Sequence, residues 1–412
     1  RPVSATGILS SSHFPEENNG NFLICNTIGF LGVLQHEVRY NGADITAHEV
    51  QPIVVSTDPN FRPTDLEVGG DGALYVSDWS NALIGHMQHN IRDPNRDDAH
   101  GRIYRITYPG RPLLDPVKLK GKPIETVLKA FLAKENGTRY RARLELSGRP
   151  TDEVVKATAD WATKLDPSQP DQAQALLECL WVFQEHRVPN MEILERVYRG
   201  AEDGRVRAAA IRTLGEWGNR VTDWQPLLTA ASTDESGLVR AEAVKAAVSF
   251  QGLDAAEIIF EVAGLPLDSE LETVLAYARN QIQVDKLVQD ASREGKPLSK
   301  AAEVYVLRNA SVEDLLKLDR SEAVFQAILE RAQVPGDRLN EAVEGLASIR
   351  EIAKVDLMLN LIQEQDGADD PGSLVELNTL LGKLSRVELA GKLTELRDLA
   401  TQGKSPETRQ AG

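Results

Sequence analysis

The residues best suited to chemistry lie in one polar segment, Gly85–Gly101, with the sequence G-H-M-Q-H-N-I-R-D-P-N-R-D-D-A-H-G. It holds three histidines, His86, His89 and His100. Imidazole titrates near neutral pH, so each of them could act as a general base on a substrate hydroxyl. Imidazoles and carboxylates also bind metal ions, although this spacing matches no standard metal motif. In a third, structural interpretation the rings cap backbone groups, and the residues alone leave all three alternatives open.

Four charged residues accompany the histidines and are predicted to bind a ligand. Asp78 ends the preceding strand, where it either caps the next turn or faces the site. Arg92 and Arg96 either bind a polar group of a ligand or pair with nearby aspartates. Asp98 lies two residues before His100 and could share a ligand with it.

The polar segment lies between predicted strands that would hold it in place. Residues 66–68 and 74–76 alternate between apolar and polar side chains, and G-G-D-G at 69–72 supplies the positive-φ positions of a tight hairpin. Another alternating stretch, residues 102–107, follows the segment. Functional residues often concentrate in loops that a rigid scaffold positions.

The whole of residues 1–112 is predicted to be β. About seven short apolar runs are separated by turn sequences such as Asn41-Gly42, which is typical of a sandwich, barrel or propeller. A propeller blade has four strands and a propeller has about 4–8 blades. If this is a propeller, residues 1–112 form its last blades.

The remainder of the chain has helical periodicity. A Pro/Gly linker is predicted at 113–122, helices at 123–402 and a disordered tail at 403–412. The sequence R-V-R-A-A-A-I-R-T-L at 205–214 is repeated as L-V-R-A-E-A-V-K-A-A at 238–247, a spacing of 33 residues. Helix pairs that repeat at this period indicate an α-solenoid, and the two copies resemble HEAT repeats.

Composition limits the choice of partner and compartment. The formal net charge of −16 argues against nucleic acid, because phosphate contacts need basic clusters. No apolar run is long enough to span a bilayer. The two cysteines, Cys25 and Cys179, form no haem-attachment spacing and are predicted to be buried thiols. The sequence begins with Arg1 and shows no signal peptide, so we expect a segment of a longer protein.

Three stretches resemble a known family. They are H-F-P-E-E-N-N-G-N-F-L-I-C-N at 13–26, F-R-P-T-D-L-E-V-G-G-D-G-A-L-Y-V-S-D-W at 61–79, and G-H-M-Q-H with H-G-R-I-Y-R further on. They are similar to the multidomain proteins of planctomycetes named membrane-bound dehydrogenases, whose propeller is similar to quinone-dependent glucose/sorbosone dehydrogenases. The resemblance covers about residues 4–112. The chain departs from the pattern at Ser80, where an aromatic residue is expected, and in lacking the C-x-x-C-H haem site.

The resemblance implies an α+β multidomain chain, in which the C-terminal blades of a β-propeller precede a HEAT-like α-solenoid. It implies a periplasmic or otherwise exported oxidoreductase that oxidises a sugar or alcohol and passes electrons to a haem domain that is separate or missing. It also favours a site role for His86, His89 and His100 as general bases, with pyrroloquinoline quinone or a metal ion as the cofactor. The alternative is a non-catalytic scaffold that binds a glycan or a protein partner, because a fold alone does not determine function.

Overall fold

The N-terminal part forms two antiparallel sheets. The computed structural model describes residues 3–84, 93–294, 296, 298–368 and 371–412. The strands are β1 (Val3–Ile8), β2 (Phe22–Asn26), β3 (Gly32–Asn41), β4 (Asp44–Val55), β5 (Pro63–Val68), β6 (Leu74–Asp78) and β7 (Arg102–Ile106). One sheet has the order β1-β2-β3-β4 and the other the order β5-β6-β7. Within the described residues these sheets of four and three strands do not close into a propeller.

The two sheets share one apolar core. Alternation along each strand places one face of each sheet against the other. The buried members are Leu9, Phe14, Leu23, Cys25, Val33, Phe61, Leu66, Leu74 and Val76. Burial, together with the charge of Asp65, raises the pKa of the Cys25 thiol to about 12, so this cysteine is an unreactive core residue.

Beyond the shared core, β3 and β4 continue as a two-stranded extension, here called the β arm (Glu37–His48). Its ladder runs from the pair Glu37 and His48 to the pair Asn41 and Asp44. The turn at its tip uses Gly42 at φ 64°, a backbone conformation that glycine adopts without strain. The Asn41-Gly42 turn predicted from the sequence therefore marks the tip of the arm.

A buried histidine fixes the exit from the β part. His13 Nδ1 lies 2.8 Å from the carbonyl oxygen of Pro112, and the backbone N–H of Tyr108 donates to His13 Nε2 at 2.9 Å. Arg111 Nη1 donates to the carbonyl oxygens of Ser12 and Phe14. These bonds hold the stretch before residues 113–122, which have no regular secondary structure.

Helices follow to the end of the chain, which divides into two compact units, Arg1–Leu287 and Val288–Gly412. The helices of the first unit are α1 (Ile124–Lys129), α2 (Asn136–Ser147), α3 (Thr151–Ala162), α4 (Pro170–Glu185), α5 (Met191–Gly200), α6 (Gly204–Trp217), α7 (Gln225–Ser232), α8 (Gly237–Ala247), α9 (Gly252–Ala263) and α10 (Ser269–Gln281), and the next helix, α11 (Val284–Arg293), contains the division. Short 3-10 helices occupy Glu16–Asn18, Ala130–Leu132 and Gly218–Arg220. No helix in the described part of the chain is long and apolar enough to cross a membrane.

The repeat predicted from the sequence is present in the structure. The two matching stretches form α6 and α8, which pack side by side, and α8 packs in turn on α10. The equivalent valines, Val206 and Val239, are both buried. The antiparallel sheets followed by a helical solenoid confirm the α+β architecture.

One arginine contact recurs at the start of several helices. At the fourth residue after the N-cap, Nη1 of an arginine donates to the carbonyl oxygens five and six residues earlier. This holds for Arg139, Arg207, Arg240 and Arg409. The guanidinium thus provides hydrogen-bond partners for turn carbonyls that the helix itself cannot satisfy.

The second unit has its own core. Its helices are α12 (Lys300–Asn309), α13 (Val312–Leu315), α14 (Glu322–Leu329), α15 (Gly336–Ile349), α16 (Lys354–Gln365), α17 (Leu374–Leu381), α18 (Leu393–Gln402) and α19 (Pro406–Ala411). Leu339, Leu346, Met358 and Leu377 are fully buried among them.

The C-terminal residues differ from the prediction of a disordered tail at 403–412. They form α19, which packs against α17 and α18. The carboxylate of Asp366 accepts the backbone N–H groups of Lys404 (2.6 Å) and Ser405 (2.9 Å). The polar residues at 403–412, which predicted disorder, are therefore bonded at the N-terminus of a helix.

We predict that Val239→Asp destabilises the folded chain by about 3 kcal/mol or more, because it buries an unpaired carboxylate between repeats. The measurement is the free energy of unfolding in denaturant. Val387→Asp is the matched control, since Val387 is 84% exposed and its change should stay within about 0.5 kcal/mol. A loss below about 1 kcal/mol for Val239→Asp would contradict the repeat register.

The docking of α19 should weaken in acid. Burial raises the pKa of the Asp366 carboxyl, but the hydrogen bonds from Lys404 and Ser405 outweigh it and lower the pKa from 3.8 to about 2. A pKa lowered by folding means stability that is present above pH 3.8 and lost as the pH falls through about 2. Between pH 5 and pH 2.5 the wild type should therefore lose more unfolding free energy than Asp366→Asn (pH values approximate). Parallel pH curves for the two proteins would rule out this role.

Candidate functional site

The predicted site lies at one end of the sheet β5-β6-β7. Asp78, at the end of β6, is paired in register with Pro63 at the start of β5 and with Arg102 at the start of β7. Antiparallel pairing therefore brings the three strand ends together. The segment predicted to carry the chemistry connects β6 to β7.

Asp78 is a buried hydrogen-bond acceptor, with only 3% of its surface exposed. Its Oδ1 accepts the backbone N–H groups of Arg62 (2.6 Å) and Ser80 (2.8 Å). Its Oδ2 accepts Arg102 Nε at 2.7 Å. Of the two roles that the sequence left open for Asp78, its geometry is that of a turn cap. Ser80 has φ 55°, so it lies at a sharp turn.

A second carboxylate completes an ion-pair network. Asp58 Oδ2 accepts Arg102 Nη1 at 2.7 Å, so Arg102 bridges two aspartates. The N–H of Asn60 and the hydrogen bond from Arg102 lower the pKa of Asp58. Burial lowers the pKa of Arg62, against the opposing charges of Asp78 and Asp58. Network members other than Asp78 were not predicted as site residues, because their partners lie far away in the sequence.

His100 is bound by its own neighbour. Its Nδ1 lies 3.0 Å from each carboxylate oxygen of Asp97, and its side chain is 78% exposed. Asp97 also accepts the backbone N–H groups of Ala99 and His100, which with the imidazole lower its pKa. The carboxylate bound to His100 is therefore that of Asp97, and Asp98, which was predicted to bind a ligand, is exposed. The signal that could have identified Asp97 is its position at the start of an Asx turn.

The remaining predicted residues fall into two groups. The side chain of Arg96 is partly buried, and its backbone N–H donates to the carbonyl oxygen of Asp93 at 3.0 Å. His86, His89 and Arg92 lie outside the described residues. The convergence of the histidine rings on one pocket therefore stays a prediction. In the ranges that the structure describes, no group of three His, Cys, Asp or Glu side chains could hold a metal ion.

A different surface feature lies in the helical part, between α6 and α8. It is a groove of about 450 Å³ that includes Arg212, Glu216, Glu242, Lys245 and Ser249 in its lining. We call it the repeat groove.

An ion-pair network forms the floor and rim of the repeat groove. Arg212 Nε and Nη2 bind the buried Glu242 at 3.1 and 2.8 Å. Lys245 Nζ lies 3.1 Å from Glu270 Oε1 on α10 and 3.5 Å from Glu242 Oε1. The cations lie on the outside and Glu242 lies beneath them, since the Arg212 side chain is 62% exposed.

Two family models match parts of the chain. Residues 3–110 match a family model described as a domain of unknown function, DUF7133. Residues 191–278 match the model of HEAT repeats. The helical part contains HEAT repeats. They include α6, α8 and the repeat groove.

Curated proteins and solved structures do not identify a relative of the whole chain. No curated protein matches the chain. One solved structure, the crystal structure of an engineered protein, has 15% sequence identity over 70% of this chain and 95% of its own. The TM-score is 0.16, a value that does not establish a common fold.

We predict that Asp78→Ala lowers the unfolding free energy by about 3 kcal/mol, because it leaves the backbone N–H groups of Arg62 and Ser80 and the Nε of Arg102 without their acceptor. The control is Asp98→Ala, whose exposed side chain should be replaceable within about 0.5 kcal/mol. Denaturant titration measures both. If the only role of Asp78 were to bind a ligand, Asp78→Ala would leave the free energy of unfolding unchanged.

Proposed function

We propose that this chain is a binding protein whose HEAT repeats present the repeat groove to a protein partner. The observation that carries the proposal is an open groove lined by charged side chains within the matched HEAT repeats. Stacked helical repeats form extended surfaces that typically bind other proteins. The proposal corresponds to the scaffold alternative of the sequence analysis.

The charges of the groove indicate the chemistry of the partner. Arg212 uses Nε and Nη2 to bind Glu242, and among the described residues its Nη1 has no acceptor. Glu242 holds the guanidinium in one orientation and raises the pKa of Arg212. A pre-oriented arginine is a common anchor of protein interfaces, because it loses little conformational entropy on binding. A partner segment with a carboxylate at its centre fits this arrangement.

The described residues of the predicted site give less support to chemistry. Asp78 is occupied by three hydrogen bonds, and His100 is exposed and bound to Asp97. A general base needs a substrate within hydrogen-bond reach and an environment that holds it. These two residues instead hold the turns that they belong to.

The test is site-specific photocrosslinking in cells that naturally produce the protein. A crosslinking residue at Ser249, in the repeat groove, should capture a defined protein, whereas one at the exposed Asp254 on α9 should not. Arg212→Gln should reduce the Ser249 product at least about fivefold, since about 1 kcal/mol corresponds to that factor. Thermal melting must show that the variant is folded. Equal capture at both positions, or none at Ser249, would contradict the proposal.

One observation favours a second candidate function, the oxidation of a sugar or alcohol by an exported propeller of which the two sheets are terminal blades. Arg62 Nε and Arg102 Nη2 are buried and have no hydrogen-bond partner within the described ranges. Both belong to the network at the end of the segment that carries the histidines. Two such donors could bind a polar group of a substrate or quinone cofactor. Dye-coupled oxidation that requires added pyrroloquinoline quinone and is lost in His86→Ala would favour this function over the scaffold.

A further inference from the structure

The tip of the β arm is bonded to the start of α10. The backbone N–H of Ala43 donates to Asp268 Oδ2 at 2.6 Å. Asp44 Oδ1 accepts both Ser269 Oγ and the backbone N–H of Glu270, each at 2.9 Å. Asp268 meanwhile caps its own helix, accepting the N–H of Leu271 at 2.9 Å. Two carboxylates, one from the arm and one from the helix, thus satisfy the N-terminus of α10, where the helix dipole favours negative charge.

The arm tip also lies directly against the start of α8. A Cβ atom on Gly237 would lie 2.6 Å from Ala43 N and 2.7 Å from Gly42 C, closer than backbone atoms allow. Any side chain at position 237 would therefore force the arm tip or the start of α8 to shift.

The preceding repeat has an equivalent glycine, but a different group lies over it. Gly204 begins α6 as Gly237 begins α8, again 33 residues apart. A Cβ atom on Gly204 would lie 2.6 Å from Ser236 Oγ, at the N-cap of the next helix in the row. At α6 the space over the glycine is therefore occupied by the following repeat, and at α8 it is occupied by the arm.

The arm reaches α6 as well. The guanidinium carbon of Arg205 lies 5.7 Å from the centre of the Tyr40 ring, which is within the range of a cation–π contact. The arm thus contacts the first turns of three successive helices of one row, α6, α8 and α10.

We propose that the β arm is a brace that fixes the rotation between these repeats. In a solenoid each repeat contacts mainly its neighbours, and the curvature is the sum of small rotations from one repeat to the next. A rigid two-stranded element attached to three first turns restrains those rotations together. The brace acts on the shape of the HEAT repeats and does not depend on which partner they bind.

The test uses distances at the far ends of the helices, measured by pulsed electron paramagnetic resonance on the full chain. Spin labels at Asn219→Cys and Asn280→Cys report on the exposed C-terminal ends of α6 and α10. Cys25 and Cys179 are buried and will not react with the label. A helix of the length of α10 is about 20 Å long, so a rotation of about 10° moves its end by about 3 Å.

Two independent variants weaken the attachment of the arm. Asp44→Ala removes the acceptor for Ser269 and Glu270, and Gly237→Ala displaces the tip without weakening α8 itself. Both should shift or broaden the distance distribution by about 3 Å. Asp44→Asn keeps the Oδ1 acceptor and should stay close to the parent, as should Asp254→Ala on α9.

An unchanged distribution in both Asp44→Ala and Gly237→Ala would overturn the brace and leave only a local helix cap. Melting curves identify a variant that unfolds. Gly237→Ala removes no hydrogen-bonding group, so it tests the proposal independently if Asp44→Ala is too unstable to measure.

Discussion

The helical part depends on the bonds between an arginine guanidinium and the carbonyl groups of the turn before its own helix. A chain that reverses direction between packed helices leaves carbonyl oxygens without intrahelical partners, and burying them unpaired costs about 1–3 kcal/mol each. In both units an arginine at the fourth position after the N-cap donates to two of them, as Arg207 and Arg409 do. Lysine would be a poorer replacement, because its ammonium is a compact point charge, whereas the planar guanidinium presents five donors in a fixed fork.

The same arginines extend the restraint to the next helix in the row. Arg207 binds Asp234 through two nitrogens, at 3.0 and 2.8 Å, and Arg139 binds Glu178 at 3.0 Å. These carboxylates lie before α8 and within α4, so one guanidinium closes its own turn and also contacts the neighbouring repeat. Apolar packing fills the space between helices, and these ion pairs add directional contacts between neighbouring helices.

Residue patterns predicted local structure well and long-range contacts poorly. The 33-residue repeat was visible because Val206 and Arg207 recur with the same neighbours as Val239 and Arg240. Arg139 and Arg409 make the same turn contact without that motif around them, so they were not recognised. In the predicted site, Asp78 was assigned two possible roles because a carboxylate at a strand end can cap a turn or bind a ligand with the same neighbours. Asp58 and Arg102, 44 residues apart, could be joined only by the fold.

The β arm is synthesised long before the helix that it binds. The bond from Ala43 to Asp268 joins residues 225 positions apart. At a translation rate of about 5–20 residues per second, the tip of the arm leaves the ribosome roughly 10–45 s before its acceptor exists. During that interval the sheets can form their core, but the arm projects from it as an unattached hairpin with exposed faces. Such a ribbon is open to pairing with other strands. We therefore expect the arm to be most open to such pairing before α10 has been made.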